Sequence, residues 1–182
     1  MRQILVFFFL LSAFSMTSDA AWDPIKKSRD PDTGASQKTM VALEAFKEIP
    51  ELQPFFEQAD GFAVFPNVAK AGIGIGGAGG KGEVFQNAKV IGSTSLKQIS
   101  IGFQLGGQAF AEIIFFKEQR DTDRFTEGNF EFGAQASAVL IKQGVSVETA
   151  YSNGIAVFTI AKGGLMYEAS IGGQKFRFES YE

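Results

Sequence analysis

The chain has 182 residues, a formal net charge of −3, no cysteine and no histidine. Those two absences exclude disulfides, the ordinary transition-metal ligands and the usual general base of a catalytic triad, and the mild acidity gives no support for a nucleic-acid partner. Twenty Phe and 21 Gly against 5 Pro favour sheets with tight bends over flexible linker.

In chain order, residues 1–20 carry Arg2, an apolar run from Ile4 to Leu11 and a small-residue site at Ser18 and Ala20. This pattern predicts a secretory signal peptide cut after Ala20. The run is shorter than the ~20 apolar residues of a spanning helix. Its loss removes one Arg and one Asp, so the net charge of −3 is unchanged. The expectation is export to the periplasm or beyond, and a lipoprotein is ruled out because the signal region has no cysteine to acylate. Residues 21–36 read as a loose polar lead.

From Gln37 to Ile49 the apolar positions Met40, Val41, Leu43, Phe46 and Ile49 predict one helical face, ended by Pro50. ELQPFFEQA predicts a second short helix with Pro54 in its first turn, and Asp60-Gly61 a turn. The pattern then becomes alternating. Ile99, Ile101, Phe103 and Leu105 are expected on one face of a strand, with Ser100, Gly102, Gln104 and Gly106 on the other. AEIIFF, NFEFGAQ, IAVFTIA and KFRFES also read as strands, and DTDRFTEG as a short helix and turn. Strands at roughly 8–12-residue spacing predict an antiparallel sheet or barrel. The expected fold is α+β and mostly antiparallel β, with N-terminal helices packed on a strongly curved or barrel-like sheet over residues 37–182.

GIGIGGAGG, residues 72–80, contains the spacing of a dinucleotide fingerprint twice. That fingerprint must open a helix and be followed ~20 residues on by an acidic residue. Here more glycines follow, and no Asp or Glu occurs between Glu83 and Glu112. Lys81 is followed by Gly82, which also breaks the phosphate-loop pattern. Gly72, Gly74, Gly76 and Gly77 are therefore read as structural, baring one face of a bent strand, and no nucleotide or other cofactor is expected. Asp121 with Asp123, and Glu127 with Glu131, have no motif around them and read as solvated charges. No catalytic or metal site is expected, and the protein is read as not an enzyme.

A partial repeat relates Asp60-Gly61 and FAVFPNVAKAGIGI to Asn153-Gly154 and IAVFTIAKGGLMY. It matches Lys70 with Lys162 and adds Gly163 and Gly164 to the structural glycines. Each lysine is expected at a turn between strands.

The order of Phe65-Pro66, Lys70-Ala71-Gly72, Gly76-Gly77, Gly106-x-Gln108 and Lys162-Gly163-Gly164-Leu165 resembles the SYLF domain family, over about Met40 to Phe178. That resemblance implies a lipid-binding domain, with phosphoinositides and, for some eukaryotic members, actin filaments as partners. Export keeps this protein from actin and phosphoinositides in its own cell. An anionic phospholipid surface remains the expected partner, met by Lys70, Lys81 and Lys162 at glycine-rich turns and by Lys26, Lys27 and Arg29 in the lead. The alternative is a structural or stress-related envelope protein with no specific ligand.

Overall fold

The computed structural model describes residues 29–73, 75–101, 106–128, 130–131, 150–161 and 173–181. Helix α1 (Gln37–Lys47) leads into a 3-10 turn (Pro50–Leu52) and α2 (Gln53–Gln58). Strands β1 (Gly61–Ile73), β2 (Ile75–Gln86), β3 (Lys89–Ile101) and β4 (Gly106–Phe116) follow. Then come α3 (Gln119–Thr126), β5 (Phe130–Glu131), β6 (Ile155–Ala161) and β7 (Gln174–Ser180). The strands form one antiparallel sheet in the order β5-β7-β3-β2-β1-β4-β6. The fold is the expected one, α+β with N-terminal helices on a curled half-barrel.

The curl can be read from one contact. β7 and β4 are four strand steps apart, which in a flat sheet would be ~19 Å at ~4.8 Å per step. Yet Gln174 Nε2 on β7 donates to Glu112 Oε2 on β4 at 3.1 Å. The two ends of this span therefore face each other across a concave interior. α3 packs on that concave side, where the Phe125 ring meets those of Phe116 (4.8 Å) and Phe176 (5.3 Å) at a tilt. Its capping box, Glu118 with Asp121, fixes its start. Asp60 fastens it to the sheet by accepting from Thr122 (2.7 Å) and Gln86 (2.9 Å). Asp121, expected to be solvated, is buried beneath Gly154. The cap and the turn at Asn153-Gly154 need that carboxylate inside, whereas Asp123 is exposed as expected.

α1 and α2 cover the convex side. Ser36 caps α1 by accepting from Thr39 N, and Leu43 and Phe46 turn inward. Val41, expected on the buried stripe, is 66% exposed because the stripe runs through Thr39, Ala42, Leu43 and Phe46 instead. Phe55 and Phe56 pack on Phe115, whose ring also meets Phe62 and Phe158. β1 is central, where proline would break a ladder. Its pairing with both neighbours shifts around Pro66, so a bulge accommodates the missing donor.

The lead is not loose from Arg29 onward. Asp30 accepts from Thr33 N, Thr33 Oγ1 and Asp32 N, which holds its carboxyl below the usual range. Arg29 pairs with Glu83 at 2.9 Å and donates to Gly34 O and Tyr181 Oη. Glu83 also accepts from Ser36 N.

The partial repeat is a repeat of strand and turn but not of face. β1 and β6 flank β4, with Gly61 and Ile155 both opposite Phe116. The matched residue of Gly61 is Gly154, so the second copy is slipped by one residue. A one-residue slip turns every side chain to the other face. Accordingly Phe65 lies in the concave core and its counterpart Phe158 in the convex one.

Candidate functional site

The glycine-rich stretch is a β-hairpin, β1 running out to Ile73 and β2 returning from Ile75. β2 continues into β3 and not into a helix, so the strand-to-helix context of a dinucleotide site is missing. Gly72, Gly76 and Gly77 lie in this hairpin; Gly74, Gly163 and Gly164 lie outside the described residues. A Cβ at Gly77 would meet its nearest neighbour at 3.5 Å, an ordinary contact. The close approaches are one turn of the pleat further on. At Gly82 a Cβ would meet Val64 O at 2.5 Å and the Phe65 ring at 2.8 Å, and at Gly80 it would meet Asn67 O at 2.9 Å. These glycines let Phe65 and Val68 lie flat on β2.

Of the lysines expected at turns, Lys70 and Lys81 are within strands. Lys70 is in β1, opposite Gln108 and Ala78, on the concave face, and is only 8% exposed. Lys81 is in β2, opposite Asn67 and Ser95, on the convex face and exposed. The sheet therefore separates them. Arg29 is engaged by Glu83 and lies over the Tyr181 ring at 4.6 Å. Its guanidinium pKa is raised, first by the hydrogen bond to Tyr181. Lys26, Lys27 and Lys162 lie outside the described residues.

Lys81 has other basic neighbours. Ser95 opposite it is opposite Arg177, and Lys97, two residues on, is directly opposite Lys175. Lys81, Lys97, Lys175 and Arg177 thus occupy two adjacent rows of one convex face, rows ~7 Å apart for a two-residue step. All four are exposed. Cross-strand partners sit ~5 Å apart, and like charges placed so repel. Glu131 relieves Lys175 at 3.2 Å, and Lys97 has no such bridge among the described residues.

This patch borders sheet surface that α1 and α2 do not reach. Ala69, Ala71, Gly77, Gly79 and Gly107 are exposed there, and Ile99 is 77% exposed. Ile99, on the apolar side of the expected alternation, is thus outside the core. β3 sends Thr94, Leu96 and Gln98 inward, so Ile99 shares its face with Lys97; Phe103 and Leu105 lie outside the described residues. The local signal for the patch was the alternation of Lys175 and Arg177 with Phe176 and Phe178, but its assembly depends on pairing.

The concave side opposite is polar at this end. Gln98 is buried, and Gln174 and Glu112 are fully so. Burial pushes the Glu112 carboxyl up to about 7 against the lowering effect of the Gln174 hydrogen bond. Among the described residues no group of three or more His, Cys, Asp or Glu is placed to hold a metal, and no helix is long and apolar enough to cross a membrane.

Fold and patch together define a half-barrel domain with a basic convex end. Residues 97–182 match the family Ysc84, described as Las17-binding protein actin regulator. Beta cell expansion factor A of Aeromonas veronii is 27% identical over 136 residues, which is 74% of this chain and 51% of that protein. The chain thus spans about half the length of this curated relative. These matches bear out the resemblance to the SYLF domain family, which the family match carries over residues 97–182. The matched segment contains Lys97, Lys175 and Arg177, and Lys81 lies before it.

Proposed function

We propose that this protein binds anionic lipid surfaces without catalysing a reaction, through the convex basic end of its sheet. The observation that carries the reading is the juxtaposition of Lys81, Lys97, Lys175 and Arg177 on one exposed face. Stacking like charges across strands costs stability, and an anionic partner turns that cost into attraction. Each basic residue near an anionic membrane contributes ~1 kcal/mol. The bare Ala and Gly surface lets that face approach a membrane closely, and Ile99 adds a small apolar anchor.

This reading keeps Lys81 from the expected set and sets Lys70 aside as buried on the other face. Arg29 is set aside as engaged by Glu83. Lys26, Lys27 and Lys162 remain candidates beyond the described residues. Export after cleavage near Ala20, to the periplasm or outside the cell, belongs to the same proposal. It makes foreign or envelope lipid the surface met, in preference to actin or phosphoinositide.

Flotation with phosphatidylglycerol vesicles tests it. The mature protein is expected to float weakly with anionic vesicles and less with neutral ones. Binding should fall with salt, since the screening length shrinks from ~10 Å at 0.1 M to ~3 Å at 1 M. Failure to float with anionic vesicles at low salt would favour the structural envelope role instead.

A further inference from the structure

Among the described residues, three side-chain oxygens of the concave interior are buried without a hydrogen-bond partner: Thr94 Oγ1, Glu112 Oε1 and Gln174 Oε1. Glu112 Oε1 and Gln174 Oε1 belong to the two side chains already joined by Gln174 Nε2 donating to Glu112 Oε2 at 3.1 Å. A buried oxygen without a donor is costly, and two acceptors cannot satisfy one another. A single proton changes this. A neutral carboxyl donates from Oε1 to the amide oxygen while accepting from the amide nitrogen, closing a two-hydrogen-bond ring. That ring accounts for Glu112 Oε1 and Gln174 Oε1 at once.

We infer that Glu112 is held as the neutral acid and closes an acid–amide clasp with Gln174, tying β7 to β4 across the half-barrel, and that ionisation opens the clasp. Gln174 immediately precedes Lys175 and lies in the strand that also carries Arg177. Opening the clasp therefore loosens half of the convex basic patch. This second step rests on the membrane reading above; the clasp itself does not.

The surroundings favour a neutral Glu112. Its cross-strand neighbours are Phe65 on β1 and Thr159 on β6. Gln98 on β3 lies 3.5 Å from Gln174. On the concave face of the described sheet the other charge is Lys70, and the pair Val68 and Phe110 lies between it and Glu112. On α3, Asp121 is occupied by Arg124 and by the helix cap. The charges of β2, β3 and β7, namely Lys81, Glu83, Lys89, Lys97, Lys175, Arg177 and Glu179, project from the convex face or lie at strand ends. Desolvation is thus the leading influence on this carboxyl.

The sign follows from linkage. The folded state holds a proton that the unfolded chain releases near its ordinary value of 4.5. Stability from this group is complete below that pH and is lost as pH rises through about 7. The chain has no histidine or cysteine, so side chains that ordinarily titrate near neutrality do not obscure the effect.

The test compares the mature protein with Glu112→Gln, whose amide closes the same ring without a titratable proton. The thermal midpoint of the parent is expected to fall between pH 5 and pH 8, and that of the variant to stay level. A parent profile matching the variant's overturns the clasp. Should the variant fail to fold, hydrogen exchange of the parent decides. Amide protection in Phe176 and Phe178, corrected for intrinsic rate, should drop above pH 7 while Val64 stays protected; equal behaviour of the two strands overturns the clasp. Binding to phosphatidylglycerol vesicles should weaken severalfold from pH 6 to pH 8.5 in the parent only. Binding with the same pH profile in both proteins overturns the coupling. A stability titration without vesicle binding at either pH overturns the membrane reading, and with it the coupling, but leaves the clasp standing.

Discussion

The same four central strands are built in two ways along their length. Near α1, α2 and α3 they carry Phe62, Phe65, Phe85, Phe115 and Phe116, covered on both faces. Toward the β1–β2 hairpin they carry Ala69, Ala71, Gly77 and Gly79, uncovered on the convex side and backed by Lys70, Gln98 and Gln174 on the concave side. The two ends differ chiefly in the size of their side chains, since antiparallel pairing runs through both, with register shifts between Val64 and Asn67 and at Val84–Phe85. Packing energy is therefore concentrated at the aromatic end. The glycine-rich end is held by its ladder hydrogen bonds and leaves its surface for other uses.

The sharpest way to break this comparison is to mutate both ends. Phe115 is fully buried among Phe55, Phe56, Phe62 and Phe158. Phe115→Ala should cost ~3–5 kcal/mol, measured by urea unfolding. Ile99→Ala should stay within ~0.5 kcal/mol, as for other exposed positions. Equal losses at the two sites would show that the glycine-rich end is packed after all.

Glycines sharpen the same contrast at smaller scale. Gly82→Val drives a side chain into Val64 O and the Phe65 ring, with an expected loss of ~1–3 kcal/mol or more. Gly79→Ala meets its nearest atom at 3.5 Å and should be neutral or gain up to ~1 kcal/mol by restricting the unfolded chain. Thermal melts of the two variants decide. A large loss at Gly79 would mean that the bare surface is covered in solution.

An intermediate effect is expected at the fastened lead. Arg29→Ala leaves Glu83 buried with Ser36 N and Tyr181 Oη as remaining partners. Loss of one charged hydrogen bond there should cost ~1–3 kcal/mol. The same variant should expose the lead to limited proteolysis near Asp30. Unchanged cleavage would show that the contacts of Asp30 and Thr33 suffice.

These contrasts also separate what was legible from what was not. Strand existence was legible because alternation is local: KFRFES and IAVFTIA show it without help. Face assignment failed wherever a neighbour chose the face. Ile99 has the apolarity of a core residue, but Leu96 and Thr94 fix the parity of β3. Val41 is displaced in the same manner by the stripe through Leu43 and Phe46. The basic patch was illegible for a different reason. Residues 81, 97, 175 and 177 are distant in sequence and meet only through the β2–β3–β7 register. Lys70 stood out because it stands just before the glycine motif, yet its strand turns it inward. Glu112 gave one faint sign, a lone carboxylate in the apolar run FAEIIFF, and its partner lies 62 residues away.

The smallest expected change in stability carries the largest consequence for the proposed function. Replacing Lys81, Lys97, Lys175 and Arg177 together by Gln touches exposed side chains on a formed sheet. Such changes usually stay within ~0.5 kcal/mol each, and removing the Lys97–Lys175 repulsion offsets part of any loss. Urea unfolding should therefore be nearly unchanged, with Lys175 giving up only its exposed bridge to Glu131, worth at most ~1 kcal/mol. Flotation with anionic vesicles should nevertheless be largely abolished, since ~1 kcal/mol per basic residue is the main source of attraction in a net acidic chain. Lys70→Gln provides the matched comparison. It removes a lysine from the adjacent strand β1, on the concave face, so it should leave flotation intact. A quadruple variant that floats like its parent, or a Lys70 variant that does not float, would move the binding surface from the convex face to the concave one.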